Sequence, residues 1–308
     1  MTRPTRPSRR QFLRTTISTA AASVAAPMIG TSSALDRGRC ATAAEPQANQ
    51  RPAAQVKLCF MTFVCPEWGT EKIAKFAKEA NYDGVEIRVD AGHKHGISSA
   101  SSAEVRQSAR KLFRDAGVEV ACVATSVQFA SADAEKHKQN LAAAKANVDL
   151  AASLGAAVVR IFAGGGIPKL TPDAAGQVAA AFDQVGEYAQ ASGVCPMLEC
   201  GHDIIKGAAE AAEVIRRVHT RNFGALWNHS TMDDATFAVL KDRIRHFHVH
   251  DEVLDPDNAN LVAVARRMKA IGFRGYISLE IIKGKGLPED LLKQTATRLK
   301  QQIAEGLR

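Results

Sequence analysis

The chain has 308 residues and a formal net charge of +8, but the charge is unevenly placed. Residues 1–34 hold five arginines and no acid, residues 35–54 add a net +1, and the remaining body carries only +2. A body so close to neutral lacks the broad basic surface that nucleic-acid binding requires, so no nucleic-acid partner is expected.

The N-terminal stretch begins with spaced arginines, then reads Ser8-Arg9-Arg10-Gln11-Phe12-Leu13, then a mildly apolar run rich in Ala, Thr and Ser that ends at Ser32-Ser33-Ala34. A charged region, a short apolar region and small residues at a cleavage point define a secretory signal, and the arginine pair followed by Phe-Leu marks the twin-arginine type. Residues 1–34 are therefore predicted to be a twin-arginine signal peptide. The translocase is the expected partner during export, and the periplasm or the exterior is the expected location. Phe12 to Met28 is too short and too rich in hydroxyls to span a bilayer, so the protein is not expected to be membrane-embedded. Residues 35–54 lack periodicity and read as a flexible mature N-terminus. Residues 55–308 remain as one domain, close to the roughly 250 residues of a single (β/α)8 barrel.

From residue 55 onward amphipathic stretches end at Gly or Asn and β-rich runs follow. The runs are 56–63, 85–89, 118–124, 157–162, 194–199, 223–227, 244–249 and 276–281; helix-compatible stretches include 70–80, 134–154, 173–191, 207–218 and 258–270. Asn81, Gly117, Gly155, Gly193 and Gly272 stand where a left-handed helix C-cap is needed. Eight βα units without a break in composition predict a closed parallel barrel. The rival is an open doubly wound sheet, but no strand is followed by a glycine-rich phosphate fingerprint. Gly164-Gly165-Gly166 runs into Ile167-Pro168 and reads as a tight turn. Of the six cysteines, Cys59, Cys122, Cys195 and Cys200 fall in or beside the apolar runs, where a thiol packs as a small hydrophobe. Their spacing suggests neither a metal knuckle nor a disulfide framework.

Buried parallel strands should be almost continuously apolar, yet several runs carry polar residues at alternate, late positions. These are Glu86 and Arg88, Arg160, Glu199, Asn228 with His229, the series His246, His248 and His250, and Ser278 with Glu280. Period two puts each set on one face of its strand, and an unpaired charge inside a barrel is too costly to keep. A polar mouth at the C-terminal end of the strands is the economical solution, which is where barrels of this type carry their chemistry. His246 lies deepest and is expected to be a hydrogen-bonded core residue. Glu86, Arg88 and Arg160 also suit a buried ion-pair network. Trp227 and Phe63 suit either an apolar wall at the mouth or core packing, and His93 and His95 follow the second strand at a distance from which they could reach the mouth.

Leu198-Glu199, Trp227-Asn228, Phe247-His248-Val249-His250-Asp251 and Leu279-Glu280, with Tyr82-Asp83-Gly84-Val85-Glu86-Ile87 near the start, resemble the xylose-isomerase-like barrel superfamily over roughly residues 56–300. The resemblance implies a divalent ion, Mn²⁺, Mg²⁺ or Co²⁺ with Zn²⁺ as an alternative, held by Glu199, Asn228, His248 and Glu280. Asn228 stands where the family carries Asp, which leaves the set one negative charge short. By resemblance, Glu199 and Glu280 are the catalytic acid–base residues of a metal-dependent sugar isomerase or epimerase working through an enediolate. Glu86, Arg160, His202, His229 and His250 are the expected substrate contacts. The substrate expected outside the cytoplasm is a neutral sugar, a polyol or another hydroxy-carbonyl compound. The Lys283-Gly284-Lys285-Gly286 loop reads either as an anion contact or as a solvated basic turn. Two alternatives stay open: a non-catalytic, degenerate sugar-binding barrel, and a dehydratase that shares the first proton abstraction. The family's three-zinc endonuclease branch is excluded, because 125–128 and 254–258 contain no imidazole. Homo-oligomerisation is left open.

Overall fold

The computed structural model describes residues 53–308 except Gly165, Gly284 and Lys285. The signal expected over 1–34, the mature N-terminus expected over 35–54 as far as residue 52, and the centre of the 283–286 loop lie outside the described residues. The elements alternate in order: β1 (Gln55–Met61), α1 (Thr70–Glu79), β2 (Gly84–Arg88), α2 (Ala103–Ala116), β3 (Glu119–Gln128), α3 (Ala134–Leu154), β4 (Val158–Phe162), α4 (Pro172–Ala189), β5 (Cys195–Cys200), α5 (Ala208–Ile215), β6 (Gly224–Asn228), α6 (Asp234–Leu240), β7 (Ile244–Val249), α7 (Asn260–Ala270), β8 (Arg274–Leu279) and α8 (Glu289–Leu307). Each strand pairs in parallel with the next, and β8 returns to β1, which closes the expected (β/α)8 barrel.

All eight apolar runs form strands, with shifted ends. The first stops at Met61 because 62–64 wind into a 3₁₀ turn, whose buried Thr62 accepts a hydrogen bond from the Arg88 amide at 2.9 Å. The third continues to Gln128, four residues past the sequence expectation. Helix ends follow local chemistry. Ser102 caps α2 through the Val105 amide, Asp133 caps α3 through the amides of Glu135 and Lys136, and Thr171 caps α4 just before Pro172. At the other ends of α2 and α3, Gly117 and Gly155 adopt φ of 73° and 82°, and Asn81 takes a similar φ of 58° after α1.

The main core lies between the barrel and its helices. Phe60 meets Tyr82 and Phe76 edge-on at 4.9 and 5.6 Å, and Phe182 bridges Phe129 and Phe223 at 4.8 and 4.9 Å. A different population fills the barrel. Cys59, Ala121 and Tyr276 form one small cluster, and Cys122, Val158, Met197 and Leu226 another. These residues fill the lower barrel, so the next inward positions, two residues further along the strands, rest on a largely apolar layer that also holds His246. Among the described residues the cysteines are free thiols and no helix is long and apolar enough to cross a membrane.

Candidate active site

Strand parity places the polar set. Two residues beyond Val158, Met197, Leu226, His246 and Tyr276 stand Arg160, Glu199, Asn228, His248 and Ser278, all buried. The residues between them, Val159, Leu198, Trp227, Phe247 and Ile277, join the outer core. The alternation seen in the sequence is therefore an inside–outside alternation of the barrel wall.

The inward side chains form one connected chain. Glu86 on β2 reaches across the barrel to β7: its Oε2 accepts from His246 Nε2 and from His248 Nε2, each at 3.0 Å. The other ring nitrogen of His248, Nδ1, lies 3.0 Å from Glu280 Oε2, just past β8. The same Glu280 oxygen receives His250 Nε2 at 3.1 Å. His250 Nε2 also donates to the Asn228 side-chain oxygen, and the Asn228 amide nitrogen donates to Glu199. Glu199 Oε2 then faces Arg160 at 3.1 Å, and the Arg160 guanidinium stacks 4.0 Å from the Phe162 ring centre. Solvent reaches this chain most at one end: the side chains of Glu280 and His250 are 12% and 18% exposed, while those of Glu86 and His248 are fully buried. The opening is thus at the tips of β7 and β8.

Electrostatics separates the two terminal glutamates. Burial raises the pKa of Glu199, and Glu280 adds to the rise against the opposing pull of Arg160, so the carboxyl ends above its ordinary range. Burial acts most strongly on Glu280, and upward, but the charge and hydrogen bond of His248, the hydrogen bond of His250 and the charge of Arg160 together hold this carboxyl well below the usual range. Deeper in, burial opposes ionisation of both Glu86 and His248. Their mutual attraction wins: Glu86 lies well below, and His248 well above, their ordinary values. Burial keeps the His246 pKa low, consistent with a neutral core imidazole.

The other expected residues divide. His202 and His229 are exposed on the loops after β5 and β6; His202 lies against Phe162 at 5.3 Å and His229 contacts the Thr231 hydroxyl at 3.2 Å. His95 is held by the Arg88 carbonyl and the Ile97 amide, a structural role, and burial lowers its pKa to about 4. Arg88 turns to backbone carbonyls and Ser126 rather than to the glutamates. Trp227 packs in the outer core, its indole donating to the Thr231 carbonyl at 2.6 Å. Asp203 has no counterpart in the sequence expectations. At φ 55° it accepts the Gly164 amide at 2.5 Å, tying the loop after β5 to the loop after β4. Its only sequence signal is its place in the turn beginning at Gly201-His202.

Whether the mouth suits a divalent cation can be judged from its donors. Glu199 Oε2 and His248 Nδ1 are buried, and neither makes an aligned hydrogen bond despite the nearby charges. His248, His250 and Glu280 each bring a ligand atom within 4.8 Å of the others. Carboxylate and imidazole donors that converge in this way, one of them the under-satisfied His248 Nδ1, fit such an ion, while Glu199 lies outside that group and faces Arg160.

Comparison with known proteins agrees with this architecture. Residues 74–302 match the family described as xylose isomerase-like TIM barrel. No curated protein matches the chain. Similar solved structures include a D-psicose 3-epimerase from Clostridium cellulolyticum H10 with D-tagatose, 13% identical, covering 82% of this chain and 99% of its own at a TM-score of 0.67. An L-ribulose 3-epimerase is 18% identical over 82% of this chain and 95% of its own, also at 0.67. The IOLI protein with a bound zinc atom is 18% identical over 81% of this chain and 98% of its own, at 0.65. At these identities the likeness establishes the fold.

Proposed function

We propose that this chain, which belongs to the xylose isomerase-like TIM barrel family, is a divalent-metal-dependent isomerase or epimerase of a neutral sugar or related hydroxy-carbonyl compound. The observation that carries the proposal is geometric: the carboxyls of Glu199 and Glu280 and the imidazoles of His248 and His250 meet in one connected network at the mouth, with His248, His250 and Glu280 close enough to share an ion. Two carboxyls at one mouth are suited to divided acid and base roles.

Glu199, Asn228, His248 and Glu280 would hold the ion, which when bound polarises the oxygens next to the reacting carbon and offsets the negative charge that develops there. The chain's own residues do the rest. Glu199 takes the proton from the carbon next to the carbonyl, and the second glutamate returns one. Glu280, joined to Glu199 only through Asn228 and His250, serves the other side of the same carbon or its neighbour. Arg160 orients Glu199 from behind, and the largely apolar layer excludes water from below. His202 and His229 are placed to meet substrate hydroxyls at the rim, and His250 stands at the entrance. Glu86 acts from beneath by fixing His248. Zinc is named for one structurally similar protein and sugars for two others, which supports the choice of ligand class.

The test is incubation with D-psicose, D-tagatose, D-fructose and L-ribulose in D₂O after loading with Mn²⁺, Co²⁺ or Zn²⁺. Deuterium should enter at the carbon next to the carbonyl, with a new epimer or isomer seen by NMR. Dehydrated products would favour the lyase reading. Binding without exchange would favour the non-catalytic barrel, for which Asn228, an amide at a ligand position, is the specific argument. Export through the twin-arginine translocase to the periplasm or beyond is part of the proposal and rests on Arg9-Arg10. Changing both to lysine should retain the protein in the cytoplasmic fraction.

A further inference from the structure

The position that weakens the expected ligand set is Asn228, and the structure supplies a neighbour that can replace what it lacks. His250 and His248 are two residues apart at the end of β7, so both imidazoles point to the same side. They converge on one atom: Glu280 Oε2 lies 3.0 Å from His248 Nδ1 and 3.1 Å from His250 Nε2. Two ring nitrogens at hydrogen-bond distance from a single carboxylate oxygen form a compact donor triangle at the most solvent-accessible part of the network.

The outward nitrogen of His248 is also prepared for a metal. Its Nε2 is held by Glu86 at 3.0 Å, so Glu86 orients the ring and leaves Nδ1 facing Glu280. A carboxylate behind an imidazole, fixing which nitrogen faces forward, is the usual support of a metal-binding histidine. Nδ1 is fully buried and makes no aligned hydrogen bond. Asn228, by contrast, is committed at both ends of its amide: the nitrogen donates to Glu199 and the oxygen accepts from His250. It behaves as a spacer that positions His250.

We propose that His250 is a metal ligand in this chain, completing with His248 and Glu280 a two-imidazole, one-carboxylate face in which Asn228 is a positioning residue. This rests on the reading of the mouth as a divalent-metal site and changes one member of its ligand set. The change has a chemical consequence. Replacing the Asn228 amide oxygen by an imidazole nitrogen makes the set softer at unchanged charge, which disfavours Mg²⁺ and favours Zn²⁺, Co²⁺ and Fe²⁺. The set leaves an open side toward the mouth for substrate.

The test uses the full chain, stripped with a chelator and titrated with Co²⁺, with affinity followed by competition against a chelating dye and by the Co²⁺ electronic spectrum. His250→Gln should lower Co²⁺ affinity by more than the roughly 10–100-fold that loss of a supporting hydrogen-bond partner costs, and should shift the spectrum. Asn228→Ala should stay within that range. The His250 backbone amide is held by the Ser230 hydroxyl at 3.0 Å and is untouched by the substitution, so folding should survive, as circular dichroism would check. A second measurement needs no variant: pulsed EPR of the Cu²⁺-loaded wild-type protein should count two coordinated imidazoles. One imidazole, or a His250→Gln protein that binds Co²⁺ like the wild type while Asn228→Ala loses it, would overturn the assignment and leave the metal site standing. A folded wild-type protein that binds neither Co²⁺ nor Zn²⁺ would overturn both.

Discussion

Replacing Glu86 by Gln removes one negative charge while preserving shape, and its effect can be worked from the structure. Glu86 is fully buried and contacts two imidazoles, His246 at 3.0 Å and His248 at 3.0 and 3.2 Å. Removing one member of a buried pair strands the other, at a cost of about 3–5 kcal/mol. For a domain of this size each kcal/mol lowers Tm by roughly 2–4 °C, so a fall of at least ~6 °C is expected. The pH dependence is more diagnostic. Glu86 has a folded pKa below its ordinary 4.5, so its contribution is present above that value and is lost as pH falls through the folded pKa. His248 has a folded pKa above its ordinary 6.5, so its contribution is complete below 6.5 and is lost as pH rises through the folded pKa. The Glu86–His248 part of the two displacements is one attraction seen from both sides and counts once; Glu280 adds to the His248 rise and His246 to the Glu86 fall. The stability difference between wild type and Glu86→Gln should therefore be largest between about pH 4.5 and 6.5 and shrink on either side. Urea denaturation of both proteins across that range measures it. A difference below ~1 kcal/mol, or one that does not vary with pH, would refute the view of Glu86 as the charged support of His248.

Glu199→Gln should lower turnover on whichever ketose proves to be a substrate by roughly 10²–10⁴-fold, the range for loss of a general acid–base group; NMR product formation measures it, with circular dichroism to verify the fold. Gly306→Ala tests the packing of α8 on α7. A Cβ there would meet Val262 O and Ala265 Cβ at 2.5 Å, so the variant should be less stable in thermal melts although Ala is the better helix former by about 1 kcal/mol. Addition of Zn²⁺ or Co²⁺ at about 100 times its Kd should stabilise the stripped protein by about 2.7 kcal/mol, seen as a rise in Tm that a chelator reverses.

What the sequence determined by itself was periodicity and parity. The repeated amphipathic stretch, the capping glycines and the eight apolar runs, with no glycine-rich phosphate fingerprint after a strand, pointed to the barrel, because each βα unit buries its apolar face against its neighbours and eight such units suffice to close. Parity also identified Arg160, Glu199, Asn228 and His248 as inward-facing, since residues two apart share one face of a strand, and His246 as a hydrogen-bonded core residue. Strand ends were less legible: β1 stops where Thr62 is needed to hold the Arg88 amide, a contact with another strand that local pattern does not encode. The pairings inside the mouth were not legible. Glu86 lies 162 residues from His248 in the chain, and only the curvature of the closed sheet brings β2 across to β7. The same closure separates Glu199 from Glu280 by an amide and an imidazole, and it puts His250 beside the carboxylate instead of out on the rim with His202 and His229. The residue types were fixed along the chain, but their distances, and so their charges, depend on the diameter of the barrel.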